Sequence, residues 1–520
     1  MTREEPTVRN AATLGGGLVV SRFLGLGRDM LLAYVLGGGW AADIFLAAFR
    51  IPNFARRLFY EGAMSMPFLP LFNKLCIDKG REAAFSFGRA VMFRLLILTL
   101  VLALLCKYAS SSIALLLTPG FAAETGLLAQ AGSLMEITFF YLPILALATL
   151  LACMALAFEH YIAISIAPAC LNLCIIFAGV YAYLEGYDGY AAAKIFCYGV
   201  LAGGALQFLA QLPALYKEGF SFFGKASLHS SEAKAFSIQA PQAVFGSASY
   251  QLGAVIAMLL ASFLGEGNIS ALYFAERILE FPLALAGIAL CTASLNNFSV
   301  LALQERKQEL SLALRQVLSL GLCFSLPAAF GFAALAEPIM HSLFGYGSFN
   351  PDTLERTSRA LVFYAPILPA VVLSRPLLAV LNAGGKAFGT AAVALAAMVI
   401  LVGTSLLLFN FFELEAITIS SSASAWASAL ALMALLRRSG ICGRTAGFFP
   451  WKSCACYCLF SAVMFAVLLE FMRAADYLRL GQPARMLIGI PLGFAVFFVL
   501  CRLFYRQDSD LIRKALLSKE

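Results

Sequence analysis

Apolar runs follow one another along almost the whole chain, separated by short glycine-bearing or charged breaks. A spanning helix needs about 20 predominantly apolar residues, and nearly every run reaches that length. The pattern predicts helices over roughly residues 11–36, 41–72, 88–117, 132–158, 161–184, 189–215, 234–264, 269–303, 310–336, 356–382, 387–411, 414–437, 452–473 and 483–506. The fold class is therefore an all-α polytopic membrane protein with about fourteen transmembrane helices. No polar stretch between the runs is long enough for a soluble domain, and Gly37-Gly38-Gly39 is the sharpest break.

Lysine and arginine in the connections set the orientation. Segments after even-numbered helices carry Lys74, Lys79 and Arg81, then Lys217 and Lys225, then Arg306 and Lys307, then Arg437, Arg438 and Arg444. Those after odd-numbered helices are poor in them, apart from the last, with Arg473 and Arg479. Both termini are thus expected in the cytoplasm, as is the tail with Arg506, Arg513, Lys514 and Lys519. The charged start runs into the first apolar segment without a small-residue cleavage site, so the first helix is expected to stay.

An internal repeat divides the run of helices. Phe140-Tyr141-Leu142-Pro143-Ile144-Leu145 recurs as Phe363-Tyr364-Ala365-Pro366-Ile367-Leu368. At nearly the same offset Ala48-Phe49-Arg50-Ile51 stands against Ala275-Glu276-Arg277-Ile278. Six helices per repeat is an even number, so the two copies share one orientation, as in transporters built from parallel repeats. The expected organisation is an N-lobe over 1–215, a C-lobe over 216–440, and two added C-terminal helices with a cytoplasmic tail over 441–520.

Composition sharpens the picture where it departs from the apolar rule. The 520 residues are 61% hydrophobic and 13% charged, outside soluble usage, yet Ser21 to Phe72 holds Arg22, Arg28, Asp29, Asp43, Arg50, Arg56, Arg57 and Glu61. Each charge left unpaired at mid-bilayer costs about 2.5–3.5 kcal/mol, so these side chains face something other than lipid. Asp43, Arg50 and Arg57 recur every seven residues on one helix face with Asn53 beside them, Pro52 interrupts that helix, and Arg56 lies on a neighbouring face. On the first helix Arg22 and Asp29 share a face, while Gly25 and Gly27 permit a bend or a close neighbour. In the second half, Glu276, Arg277 and Glu280 precede Phe281-Pro282. Arginine keeps its charge in any protein environment, and its planar fork suits phosphate. Arg22, Arg28, Arg56 and Arg277 are therefore candidate clamps for a pyrophosphate, with Asp29 and Asp43 holding some of them in place. The alternative is a set of structural pairs: Asp29 with Arg22, Asp43 with Arg50, and Glu276 or Glu280 with Arg277.

Other chemistry finds little support. His160, His229 and His341 are isolated, and Cys454, Cys456 and Cys458 lack companions for a zinc site. Leu14-Gly15-Gly16-Gly17 has no following lysine, so nucleotide-driven pumping is not expected. The net charge of +8 belongs to loops facing the cytoplasm and not to a nucleic-acid surface.

Three strings carry a resemblance: Ser21-Arg22-x-Leu24-Gly25-x-x-Arg28-Asp29, Asp43-x-Phe45-x-x-Ala48-Phe49-Arg50-x-Pro52-Asn53-x-x-Arg56-Arg57-x-Phe59-x-Glu61-Gly62-Ala63, and Tyr273-x-Ala275-Glu276-Arg277-x-x-Glu280-Phe281-Pro282. They resemble the MurJ (MviN) lipid II flippases of the multidrug/oligosaccharidyl-lipid/polysaccharide exporter superfamily. The resemblance implies two six-helix lobes in a V, a central cationic cavity, and two C-terminal helices forming a groove for a polyprenyl tail. It implies a transporter and not an enzyme, acting in the bacterial inner membrane in peptidoglycan biosynthesis. The implied substrate is lipid II, undecaprenyl-pyrophosphate carrying the disaccharide-pentapeptide, moved from the cytoplasmic to the periplasmic leaflet by alternating access. In that family the arginines matching Arg22, Arg28, Arg56 and Arg277, and the aspartate matching Asp43, are functional cavity residues. The residue reading adds Asp29, Asn53 and Arg57 to the substrate-binding candidates. Expected partners are lipid II, membrane lipids and cell-wall synthesis proteins, with no nucleic acid and a monomeric chain.

Two departures stand out. Asn296-Asn297 replace the proline that relatives carry after the eighth-helix motif. Some relatives hold a sodium ion with a polar residue in helix seven and Asn-x-x-x-Asp in helix eleven, whereas this chain has Gly253 to Met258 and then Asn382 followed four residues on by Lys386. An ammonium there takes the place of the cation, so no cofactor is expected, and membrane potential replaces bound sodium as the expected driving force. The competing readings are a drug or polysaccharide-lipid exporter of the same superfamily, for which a drug antiporter would want an acidic cavity; a membrane-embedded enzyme acting on the same lipid; and a non-transporting cell-wall scaffold.

Overall fold

Every regular element described is helical. The structure is a computed structural model that describes the backbone of residues 5–58, 64–283, 298, 300–302, 304–443 and 447–504, with side chains over the same residues except 5–19, 57–58 and 242–251. Glu61, Asn296-Asn297, Arg444 and the tail from 505 lie outside the described residues, as does the side chain of Arg57.

The helices are α1 (Glu5–Leu36), α2 (Trp40–Leu58), α3 (Ser65–Lys79), α4 (Arg81–Tyr108), α5 (Ser110–Leu117), α6 (Leu127–Thr138), α7 (Tyr141–Ala157), α8 (Tyr161–Leu184), α9 (Gly189–Lys217), α10 (Ser231–Ser262), α11 (Asn268–Pro282), α12 (Lys307–Phe344), α13 (Pro351–Tyr364), α14 (Ile367–Ala383), α15 (Ala387–Leu408), α16 (Leu414–Ser439), α17 (Trp451–Tyr477) and α18 (Gln482–Phe504). Among the described residues nine helical stretches are long and apolar enough to cross a membrane, and the bent pair α13–α14 makes a tenth. The protein is a multi-pass membrane protein. Helix α2 is not among the nine, because Asp43, Arg50, Arg56 and Arg57 crowd its 19 residues.

Several runs read as single helices are interrupted, and the interruptions have local causes. Both copies of the repeated string sit at such a break. α6 ends at Thr138 and α7 restarts with Pro143 in its first turn, while α13 ends at Tyr364 and α14 follows Pro366 at a bend of 46°. Proline lacks the N–H that a helix interior needs and is tolerated in a first turn. Conversely, α12 runs on to Phe344, two turns beyond the expected end, with a kink at Leu335 just ahead of Pro338.

The chain divides into two compact units, Met1–Ser270 with Tyr346–Asn350, and Ala271–Gly345 with Pro351–Glu520. In the first, α8 packs along both α1 and α9, and α7 packs on α9. Gly203 makes the α8–α9 approach possible: a Cβ there would stand 2.9 Å from the Leu171 Cα. A core cluster of this unit gathers the rings of Phe68, Phe72, Phe85, Phe87, Phe220 and Phe236, some stacked and some edge-on. Over it lies the segment between α9 and α10. Arg89 donates to the carbonyls of Ser221 and Lys225, and Arg94 to those of Leu228 and Ala233. Elsewhere in this unit the Gly37 turn meets Ser348. Gly37 has φ +71°, a Cβ on it would fall 2.4 Å from the Ser348 carbonyl oxygen, and the Ser348 N–H donates to the Tyr34 carbonyl at 2.9 Å.

In the second unit α12 is the central element, contacting α13, α14, α17 and α18, while α16 packs on α13, α14 and α15. The last two helices thus dock on α12 as well as on each other.

Candidate functional site

In α1 two adjacent charges, Arg28 and Asp29, are buried and paired. Arg28 is 7% exposed and Asp29 0%. Asp29 Oδ1 accepts from Arg28 Nε at 2.9 Å and from Nη2 at 2.6 Å. Asn172, on α8, accepts from Arg28 Nη1 at 3.0 Å. The pairing of adjacent residues was not signalled by sequence, where the seven-residue spacing draws attention to Arg22 and Asp29. Arg22 is half-buried on the same helix. Gly25 and Gly27 differ in role: Gly25 faces the Asn172 amide, and Gly27 faces open space.

In α2 the polar groups are distributed along the helix. At its start Asp43, fully buried, accepts from the Gly267 N–H at 2.8 Å, the Ser270 N–H at 2.8 Å and the Ser270 hydroxyl at 2.7 Å. These N–H groups open α11, so the carboxylate caps a helix remote in sequence, where a negative charge is favoured. Further along, Arg50 donates to the Ala254 carbonyl of α10. Pro52 leaves the Ala48 carbonyl without its i+4 donor. The Thr138 hydroxyl of α6 fills that vacancy at 2.7 Å. One turn on, buried Asn53 accepts from Arg56 Nε at 3.2 Å and Nη2 at 3.0 Å. Asn53 therefore fixes Arg56, the arginine that sequence spacing alone gave no reason to prefer over Arg57.

A buried polar group missed by the sequence reading lies close by. The Tyr141 hydroxyl donates to Gln207 Oε1 at 3.1 Å, and Gln211, one turn further along α9, donates to the Gln207 carbonyl. Tyr141 lies within electrostatic reach of both Arg28 and Arg56. Its sequence signal was misassigned: Tyr141 stood out only as part of the repeat. Asn172, Gln207 and Gln211 were visible as lone amides in otherwise apolar helices.

In the second unit, Arg277 is held by its own helix. Nη1 donates to Glu280 Oε2 at 2.5 Å, Nη2 donates to the Tyr273 hydroxyl at 2.7 Å, and the guanidinium carbon lies 5.1 Å from the Tyr273 ring centre. These i−4 and i+3 neighbours are the ones a helix brings to one face. Of the structural pairs offered as the alternative, Arg277 with Glu280 is thus formed.

Lys386 is exposed at the break between α14 and α15, where Asn382 Oδ1 accepts from the Thr390 hydroxyl at 2.9 Å. Among the described residues no cluster of three or more His, Cys, Asp or Glu side chains offers a metal site.

Within the first unit Arg28 is buried and Arg56 half-buried, each oriented by a carboxylate or an amide. The family model described as lipid II flippase MurJ matches residues 32–479. The chain belongs to that family. A MurJ protein of Rhizobium meliloti, named a "Probable lipid II flippase MurJ", is 31% identical over 84% of this chain and 82% of its own length. Among solved structures, "Lipid II flippase MurJ, inward closed conformation" matches with TM-score 0.79 at 22% identity, covering 96% of this chain and 99% of that one. An inward-facing multidrug resistance MATE family transporter of the MOP superfamily matches with TM-score 0.67 at 14% identity, covering 81% and 95%. Both structural likenesses concern the fold. Members of the MurJ family are flippases, which are transporters and not enzymes.

Proposed function

We infer that this chain is a lipid II flippase that moves undecaprenyl-pyrophosphate-linked disaccharide-pentapeptide from the cytoplasmic to the periplasmic leaflet. The observation that carries the reading is the buried, oriented Arg28 of α1 within a MurJ-family chain. A guanidinium kept in an apolar bundle is costly unless it has a task, and a pyrophosphate is the ligand its fork suits. In this reading Arg22, Arg28, Arg56 and Arg277 meet the pyrophosphate. Asp29, Asn53 and Asp43 orient or anchor the helices and side chains that do so, and Arg57 adds cationic charge. The anion binds one state better than the other and so shifts the alternating-access equilibrium. The architecture proposed with it is fourteen spans, as two six-helix lobes and two C-terminal helices, in the bacterial inner membrane with both termini cytoplasmic. Membrane potential is the proposed driving force, and the exposed ammonium of Lys386 takes the place of a sodium ion.

The test is complementation of a conditional flippase-depleted bacterium, comparing wild type with Arg28→Ala, Arg56→Ala and Arg277→Ala at matched membrane levels. The readout is lipid II exposed to the periplasm. Rescue by wild type and not by the variants is the expected result. Equal rescue by all would reduce the arginines to structural pairs. Sodium-stimulated transport that survives Lys386→Ala unchanged would overturn the driving-force proposal.

A further inference from the structure

Asn172 joins the substrate arginine to a helix that carries none of the charges. Its Oδ1 accepts from Arg28 Nη1 at 3.0 Å and its Nδ2 donates to the Ser21 carbonyl at 3.0 Å. The orientation of the amide is fixed by chemistry: a guanidinium only donates and a carbonyl only accepts. The two α1 partners lie seven residues apart, yet one small amide reaches both. Helix carbonyls point toward the C-terminus and side chains lean toward the N-terminus. The Ser21 oxygen and the Arg28 fork therefore converge at the level of Gly25, whose Cβ position lies 3.6 Å from Asn172 Nδ2. A methyl would touch the amide, and a longer side chain would enter its space.

The choice of an amide matters for charge. Asp29 already offsets one unit of Arg28. A second carboxylate at 172 would satisfy the same donor and cancel charge that an anion needs, whereas a neutral oxygen satisfies it at no electrostatic loss. Asn172 is 7% exposed, so its amide is shielded from water and both of its bonds are made in a low-dielectric surrounding.

We propose that Asn172 is a positioning residue for lipid II transport: it aims Arg28 by bracing it against α8 and the α1 backbone, without reducing the cationic charge. The proposal rests on the reading in which Arg28 meets the pyrophosphate. Its test uses the purified full chain in nanodiscs and measures affinity for undecaprenyl pyrophosphate, with undecaprenyl monophosphate as comparison and the thermal midpoint alongside. Asn172→Ala is expected to weaken pyrophosphate affinity about tenfold. Asn172→Asp keeps the acceptor for Arg28 but sets a carboxylate oxygen against the Ser21 carbonyl, so it is expected to weaken affinity at least as much and to lower the thermal midpoint as well. Asn172→Ser, small and neutral, carries the test where Asn172→Ala fails to fold, and the dependence of its loss on Arg28 is what a purely structural residue does not produce. Combined with Arg28→Ala, the Asn172→Ala change is expected to add nothing. Wild-type affinity in Asn172→Asp, or a loss in Asn172→Ala that persists in full when Arg28 is already alanine, overturns the proposal while a weakened Arg28→Ala leaves the clamp standing. Wild-type affinity in Arg28→Ala overturns the clamp and this proposal together.

Discussion

Arg28 and Arg277 carry the same charge and are held in opposite ways. Arg28 is 7% exposed, and its carboxylate partner is buried beside it while its amide partner comes from another helix. Arg277, with a side chain 16% exposed, takes both of its described partners from its own helix, one turn before and one turn after. The first depends on tertiary packing and fails with it. The second has a carboxylate and a phenol that local helix geometry itself presents to it.

The sharpest way to break this contrast is Asp29→Leu. It leaves the Arg28 guanidinium buried without its carboxylate, a change that costs about 3–5 kcal/mol when a buried pair loses one member. The expected outcome is a large drop in the thermal midpoint of the detergent-solubilised chain and a low membrane level. A midpoint within a degree of wild type would mean that Arg28 is not dependent on its buried partner.

Asp43→Ala comes next. It removes three hydrogen bonds from the start of α11, with donors at Gly267 and Ser270 left to find water or nothing. A loss of about 2–3 kcal/mol is expected. Asp43→Asn, which retains one acceptor oxygen, is expected to lose about half as much. Equal losses in the two variants would show that charge, and not the hydrogen-bond count, anchors α11.

Tyr273→Phe separates the two contributions to Arg277. The ring stays, so the cation–π contact is retained, and only the hydroxyl acceptor 2.7 Å from Nη2 is removed. About 1 kcal/mol is expected from thermal unfolding. A loss as large as that of Asp29→Leu would show Arg277 to be as dependent on its surroundings as Arg28.

The same contrast marks what the sequence could reveal. Arg277 with Glu280 was legible, because i,i+3 spacing on a helix is a contact by geometry. So were the helical class and the membrane character, which follow from runs and periods; the repeated string was legible as a repeat, but the helix breaks it carries at Pro143 and Pro366 were not, since 132–158 and 356–382 read as unbroken helices. The partners of Arg28 and Asp43 were not legible. Asn172 and Ser270 reach them from helices more than a hundred residues away, and Asp29 lies next to Arg28 where helical spacing gives neighbours no reason to meet. Thr138 on the Ala48 carbonyl belongs with these: Pro52 announces that a carbonyl loses its donor, but nothing in the chain says which hydroxyl replaces it.

The smallest expected effect is also the one whose sign is most informative. In Glu280→Gln the i,i+3 pair with Arg277 is lost, and since Glu280 is 28% exposed the stability change is expected to be about 0.3–0.5 kcal/mol. If the pyrophosphate competes with Glu280 for the same guanidinium, removal of the carboxylate leaves more of the Arg277 charge to the ligand. Affinity for undecaprenyl pyrophosphate is then expected to rise by about two- to fivefold, as expected for a partly exposed pair worth up to about 1 kcal/mol. Asp29→Leu is expected to lower affinity instead, because it takes the aim of Arg28 with it. Opposite signs at the two carboxylates would mean that one positions its arginine and the other restrains it; a fall in both would mean that Arg277 needs its carboxylate as Arg28 does.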